Sequence, residues 1–146
     1  MAKPIFVLNG PNLNMLGLRE TTVYGEDTLA DIESRLQAAA GPLNLTIDFR
    51  QSNSEGELVG WIQDARDAAS GLILNAAAYT HTSVALLDAV RAAELPTIEV
   101  HLSNVFQREN FRHRSYISQA ATGVICGLGA TGYVLALQAL AERIER

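Results

Sequence analysis

A glutamate and two histidines are the residues of this chain best suited to proton chemistry. Glu99 stands two positions before His101, and His81 follows a separate apolar run. Histidine titrates closest to neutrality, so such a pair reads as metal ligands, as buried hydrogen-bonded structure, or as acid and base groups. Metal is the weakest of the three. No third or fourth ligand stands at a familiar spacing, and the single cysteine, Cys126, sits in an apolar run and reads as a small core hydrophobe. In a strand, residues two apart share a face, so the Glu99 carboxylate can orient the His101 imidazole and stabilise its protonated form. That arrangement suits a general acid.

Positive charge is scarce and oddly placed. The net charge is −5, Lys3 is the only lysine, and Arg19, Arg108, Arg112 and Arg114 fall in segments that read as loops. Arginine holds carboxylates in a planar fork, so loop arginines in an acidic protein point to a small anionic ligand, although any one alone also reads as solvated surface charge. No basic stripe or aromatic-interleaved Lys/Arg run is present, which argues against nucleic acid as a partner.

The elements that must position these groups follow from the apolar pattern. Strand-like runs at 5–8, 45–49, 72–74, 97–100 and 123–126 alternate with helical patterns at 28–39, 56–69, 83–93 and 133–144. Alternating strands and helices predict an α/β fold with a doubly wound, five-stranded parallel sheet of order 2-1-3-4-5 and helices on both faces, the flavodoxin-like three-layer arrangement. Gly41-Pro42 closes the first helix, Gly71 opens the third strand and Pro96 precedes the fourth. A chain of 146 residues with no linker or repeat reads as one domain over 1–146. Such a chain buries roughly 70% of its unfolded surface. No apolar stretch approaches the roughly 20 residues that span a bilayer, and the first residues lack the pattern of a secretory signal, so a cytoplasmic protein without membrane contact is expected.

In an open parallel sheet, ligands bind outside the carboxyl ends of the strands, near the point where strand order reverses. The first strand runs into Asn9-Gly10-Pro11-Asn12, the third into Asn75 and on to His81, and the fourth into Glu99, His101, Ser103 and Asn104. Asn and Ser also cap turns and helix starts, which explains them one by one but not two histidines at the same edge. One competing motif is present: Gly127, Gly129 and Gly132 match the glycine fingerprint of dinucleotide sites. Only one helix follows it, with no further strand and no acidic residue at the distance a ribose requires, so tight helix–strand packing is expected there.

Longer segments carry a resemblance. Phe6 to Asn14, Asn75 to Ser83, Glu99 to Val105 with Arg108 to Ser115, and Gly123 to Gly129 with Gly132-Tyr133 together resemble the signature segments of type II 3-dehydroquinate dehydratases. Ala76-Ala77 departs from the Pro-Gly or Ala-Gly usual in that family, and the position of Phe106 varies there. The resemblance implies a hydro-lyase without cofactor. Its reaction is anti elimination of water from 3-dehydroquinate through an enolate to 3-dehydroshikimate, the third step of the shikimate pathway towards chorismate and the aromatic amino acids. It further implies trimers assembled into a dodecamer.

By the same resemblance, Tyr24 is the base, His101 the acid, with Glu99 behind it, and Asn12 holds the water that stabilises the enolate. From its residues alone, Tyr24 reads as a loop aromatic packed on the surface. A phenol is ionised at neutral pH in only about one molecule in a thousand, so a tyrosine base needs cations beside it. The resemblance supplies Arg19 and Arg108 in that role, and makes residues 18–26, with Gly17 and Gly25 near its ends, a lid. Asn75, His81 and Arg112 correspond to groups that hold substrate hydroxyls, and the backbone at Leu102 and Ser103 to a carboxylate cradle. Asp88, seven positions after His81 and read here on the same helical face, corresponds to an aspartate that reaches a neighbouring subunit's site; it also reads as a helix-surface charge. Lys3 precedes the first strand, away from the expected site, so imine chemistry is not expected. Two other functions fit these residues less well. A flavin- or phosphate-binding module would want a Ser/Thr/Gly loop where this chain has Gly10-Pro11-Asn12-Leu13-Asn14, and an oligomeric scaffold has no use for clustered His, Tyr and Arg.

Overall fold

The computed structural model describes residues 2–144. Five parallel strands, β1 (Ile5–Asn9), β2 (Ile47–Gln51), β3 (Gly71–Asn75), β4 (Thr97–His101) and β5 (Gly123–Cys126), form one sheet of order β2-β1-β3-β4-β5. The helices are α1 (Thr21–Tyr24), α2 (Leu29–Ala40), α3 (Glu55–Ala68), α4 (Val84–Ala93) and α5 (Thr131–Ala141). The expected fold class, strand order and helix alternation are therefore those observed, with element ends shifted by at most three residues.

Burial explains why the central strands read as continuous apolar runs. Every residue of β1, β3 and β4 is buried, while the edge strands β2 and β5 are mostly half-buried. The two-residue period divides the core in two. Ile5, Val7, Ile73, Ile98 and Val100 face α2 and α5, and Phe6, Leu8, Leu72 and Leu74 face α3 and α4. Helix starts are fixed locally: Thr28 and Asp31 form a reciprocal capping box on α2, and the Ser54 and Ser83 hydroxyls accept from the Glu57 and Leu86 amides at the starts of α3 and α4.

Gly132 opens α5 as the packing reading requires: a Cβ there would lie 3.3 Å from Ile125 Cγ2 and 3.6 Å from Val100 Cγ1. One expectation is corrected. Cys126 is half-buried on the edge strand and lines a cavity, so it is no core hydrophobe. The short α1 and the 3-10 turns at Leu13–Met15, Ala77–His81, Val105–Gln107, Asn110–Arg112 and Ile117–Gln119 were not read from the pattern, because three to five residues carry no period.

Register brings the polar strand ends together. Asn9 pairs with Asn75, Leu74 with Glu99, and His101 with Cys126, with strand order reversing between β1 and β3. Gly10 makes the first turn possible: its amide donates to the Asn75 carbonyl at 2.8 Å, and a Cβ would sit 2.4 Å from the Ala76 carbonyl oxygen. That clash is with backbone and cannot be relieved by a side-chain rotation. Gly10→Ala is therefore expected to lower stability by about 2 kcal/mol or more in urea unfolding; a loss near zero would show that the β1 and β3 ends can separate freely.

Candidate active site

A cleft of about 200 Å³ opens at the carboxyl ends of β1, β3 and β4. Of the twelve residues singled out from the sequence, ten line it: Asn12, Arg19, Tyr24, Asn75, His81, His101, Leu102, Ser103, Arg108 and Arg112. Glu99 lies behind His101, and Asp88 is exposed on α4, outside the cleft of its own chain. The helical spacing argument for Asp88 does not hold, because His81 ends a 3-10 turn and α4 begins only at Val84.

His101 is 6% exposed, and its Nε2 lies 2.5 Å from Glu99 Oε2. An ionised carboxylate only accepts, so Nε2 carries the hydrogen and Nδ1 is left for the cleft. Burial pushes the Glu99 pKa up, but hydrogen bonds from His101, Ser118 and Ser115, with the charge on His101, outweigh it and hold the carboxyl below its ordinary value. His81 stacks on His101 with centroids 6.4 Å apart. Its Nδ1–H donates to the Arg114 carbonyl at 2.8 Å. Burial pushes the His81 pKa down against that bond, with His101 and Arg112 adding to the effect, so Nε2 of a neutral ring can accept.

Tyr24 stands at the end of α1 with the guanidinium carbons of Arg19 and Arg108 at 4.9 and 5.0 Å from its ring centroid. The segment carrying it is bounded by left-handed turns at Gly17 (φ 84°) and Gly25 (φ 85°), and Glu20 also takes a positive φ. Asn12 sits in the left-handed region as well, its amide donating to Asn53 Oδ1 at 3.0 Å. Arg108 reaches Ser103 Oγ at 3.4 Å, and Arg112 donates to Glu109 at 2.7 Å. Ala77, at the departure noted above, adopts φ 52°, the conformation a glycine would take without strain.

Two supporting residues were missed. The Tyr133 hydroxyl, fully buried, donates to Asn9 Oδ1 at 2.7 Å and accepts from Asn75 Nδ2 at 2.9 Å. Asn75 Oδ1 accepts in turn from the Ala77 amide at 3.2 Å, so both ends of this cleft amide are fixed. Burial raises the Tyr133 pKa far above the ordinary phenol value, the Asn75 bond opposing it, which makes Tyr133 a structural hydroxyl and leaves Tyr24 as the phenol of the cleft. Tyr133 had been read only as part of a sequence motif; a helix pattern does not show that its hydroxyl reaches two strand ends. Asn9 stands out in the sequence only as one of the polar residues at the strand ends, with no partner indicated. Among the described residues, no three His, Cys, Asp or Glu side chains converge to hold a metal ion.

The family model described as Dehydroquinase class II matches residues 3–141. Proteins named 3-dehydroquinate dehydratase from Brucella canis and a Chelativorans species are each 58% identical, over 97% and 99% of this chain and 90% and 100% of their own length. The crystal structure of a type II dehydroquinase from Propionibacterium acnes is 46% identical with TM-score 0.93, over 97% of this chain and 98% of that one. A second, from Butyrivibrio crossotus, is 38% identical with TM-score 0.92, over 95% and 97%.

Two outcomes follow from the geometry. Tyr133→Phe strips a hydroxyl from two buried amides and is expected to cost about 1–3 kcal/mol in denaturant unfolding, with no loss at all if the asparagines find other partners. Both downward pKa shifts make the unfolded chain bind more protons in acid. Stability from neutral His81 is lost as pH falls from its ordinary 6.5 through the lower folded value, and that from Glu99 as pH falls from 4.5 through its own. Glu99→Gln should therefore flatten the fall of Tm below pH 5; an unchanged slope would show that Glu99 does not titrate with unfolding.

Proposed function

Because this chain belongs to the class II dehydroquinase family, we propose that it is a 3-dehydroquinate dehydratase working by anti elimination through an enolate, as the third step of the shikimate pathway. The observation that carries this reading is one cleft holding both a phenol with two guanidinium groups against its ring and an imidazole backed by a buried carboxylate.

The steps balance as follows. Tyr24, as phenolate, takes a proton from the carbon beside the ketone, and the electron pair moves onto the ketone oxygen as an enolate. Arg19 and Arg108 stabilise the anionic base, and Asn12 holds a water against the enolate oxygen. The enolate then collapses, the neighbouring C–O bond breaks, and His101 gives its Nδ1 proton to the departing hydroxyl, which leaves as water. Tyr24 loses its proton and His101 regains one before the next turnover. These steps call for no redox cofactor, since no electrons pass to or from the substrate.

Asn75, the Nε2 of His81 and Arg112 are suited to the substrate hydroxyls. The backbone at Leu102 and Ser103, with Arg108 alongside, is suited to its carboxylate. Residues 18–26 would close over bound substrate and exclude water. Asp88, exposed on α4, would serve a neighbouring copy in a trimer, with four trimers forming a dodecamer. The protein is read as cytoplasmic; among the described residues no helix is long and apolar enough to cross a membrane.

Following the ultraviolet absorbance of the conjugated enone product tests the reading. Wild type should form product before and after borohydride treatment, which would trap an imine. Tyr24→Phe and His101→Asn should each lower kcat by about 10²–10⁴-fold. Folded wild type that forms no product would refute the activity, and an active Tyr24→Phe would refute the assigned base.

A further inference from the structure

Glu99 is 1% exposed, and an anion buried to that degree is unstable unless its lone pairs are used. Its only ion-pair partner among the described residues is His101. The remaining bonds come from two hydroxyls of one segment: Ser118 Oγ donates to Oε1 at 2.6 Å, and Ser115 Oγ donates to Oε2 at 2.8 Å, the oxygen that also receives His101. The segment is itself held. The Ser118 amide donates to Ser115 Oγ at 3.0 Å, Ile117 is fully buried, and the Tyr116 amide donates to the Thr80 carbonyl at 3.0 Å. At its start, the Arg114 carbonyl accepts from His81.

We infer that Ser115 and Ser118 are positioning residues for the elimination: their hydroxyls hold Glu99 as an oriented anion, and Glu99 in turn fixes the His101 ring through its Nε2–H, so that Nδ1 is the atom left to act on substrate. Two donors at a carboxylate favour its charged form and so oppose transfer of the Nε2 proton from His101 to Glu99. Were that transfer to occur, a neutral imidazole would remain, and its Nδ1–H is a far weaker acid than an imidazolium. Neither serine gives up its proton at any step. The inference rests on the reading of His101 as the acid.

Behind the pair lies a second cavity of about 310 Å³, which His81, Arg112, His113 and Cys126 also line. It has room for water that could replace a lost hydroxyl, so truncation to alanine alone is a weak test. Threonine and valine match in shape and differ in the hydroxyl, which makes Ser118→Thr and Ser118→Val the informative pair, with the same exchange at Ser115. Ser118→Val is expected to lower kcat about tenfold relative to Ser118→Thr, the scale of one hydrogen bond to a charged group, with KM changed less than about twofold. In carbon-13 NMR, the Glu99 carboxyl should titrate at higher pH in the valine variant than in the threonine variant, a readout that does not require turnover. Equal kcat and equal Glu99 titration in the two variants would overturn the inference. So would a rise in KM at constant kcat, which would assign the hydroxyl to substrate binding. If a branched side chain prevents folding, Ser118→Cys, which nearly keeps the size but is a much weaker donor, is compared with wild type by the same two measurements. A wild type that forms no product refutes the dehydratase reading instead, and the Glu99 titration then decides alone whether the serines hold the anion.

Discussion

A carboxylate inside a strand that is buried on both faces is the constraint around which this site is organised. Glu99 stands in the middle of β4, where an unpaired charge would cost several kcal/mol. Satisfying it requires an imidazole two residues on and donors from a chain segment that returns across the end of the strand. The irregular stretch between β4 and β5 supplies that return, turning through three short 3-10 segments and burying Ile117 to anchor itself. Once the segment is in place, its Arg114 carbonyl also sets the His81 ring. One strap thus orients both imidazoles, the first through a carboxylate and the second directly.

The opposite face of the sheet is finished in the same way. Alternation along β1 and β3 sends Asn9 and Asn75 to the side covered by α5, where Tyr133 joins them with two hydrogen bonds. Each apolar layer of the core therefore ends, at the carboxyl edge of the sheet, in a small polar cluster whose members are paired with one another. The cleft floor is built from the tops of these clusters, which is why Asn75 and His101 can be polar, buried and fixed at once.

The sheet and its order were legible because they depend on long apolar runs of the right period. Glu99 beside His101 was legible because a two-residue period is enough to put them on one face. The rest depended on contacts between segments far apart in the chain. Nothing about Ser115 and Ser118 distinguishes them from ordinary loop serines until Glu99 is seen beneath them, and Tyr133 looks like any aromatic of a buried helix. Tyr24 was reached only through resemblance, since its neighbours Arg19 and Arg108 converge through a turn and a loop that carry no pattern. Asp88 shows the opposite failure: a seven-residue spacing suggested a shared helical face, yet the intervening chain changes from a 3-10 turn to a new helix.

Charge in the cleft also follows from weak local pairing. The protein carries a net −5, yet Arg19, Arg108 and Arg112 all face one cleft. Arg19 pairs with Glu20 and Arg112 with Glu109, and in both cases the carboxylate is on a half-exposed side chain. Exposed pairs of this kind contribute little, so their arginines can exchange an acidic neighbour for an anionic ligand at small expense. Arg108 has no such carboxylate partner among the ion pairs of the described residues; it leans on Ser103 and on the Tyr24 ring. In the proposed reaction this division matters. The guanidinium groups that would meet substrate are held loosely and can adjust, whereas the imidazole that must deliver a proton at one angle is held from behind by one hydrogen bond to a buried anion that two serine hydroxyls fix in turn.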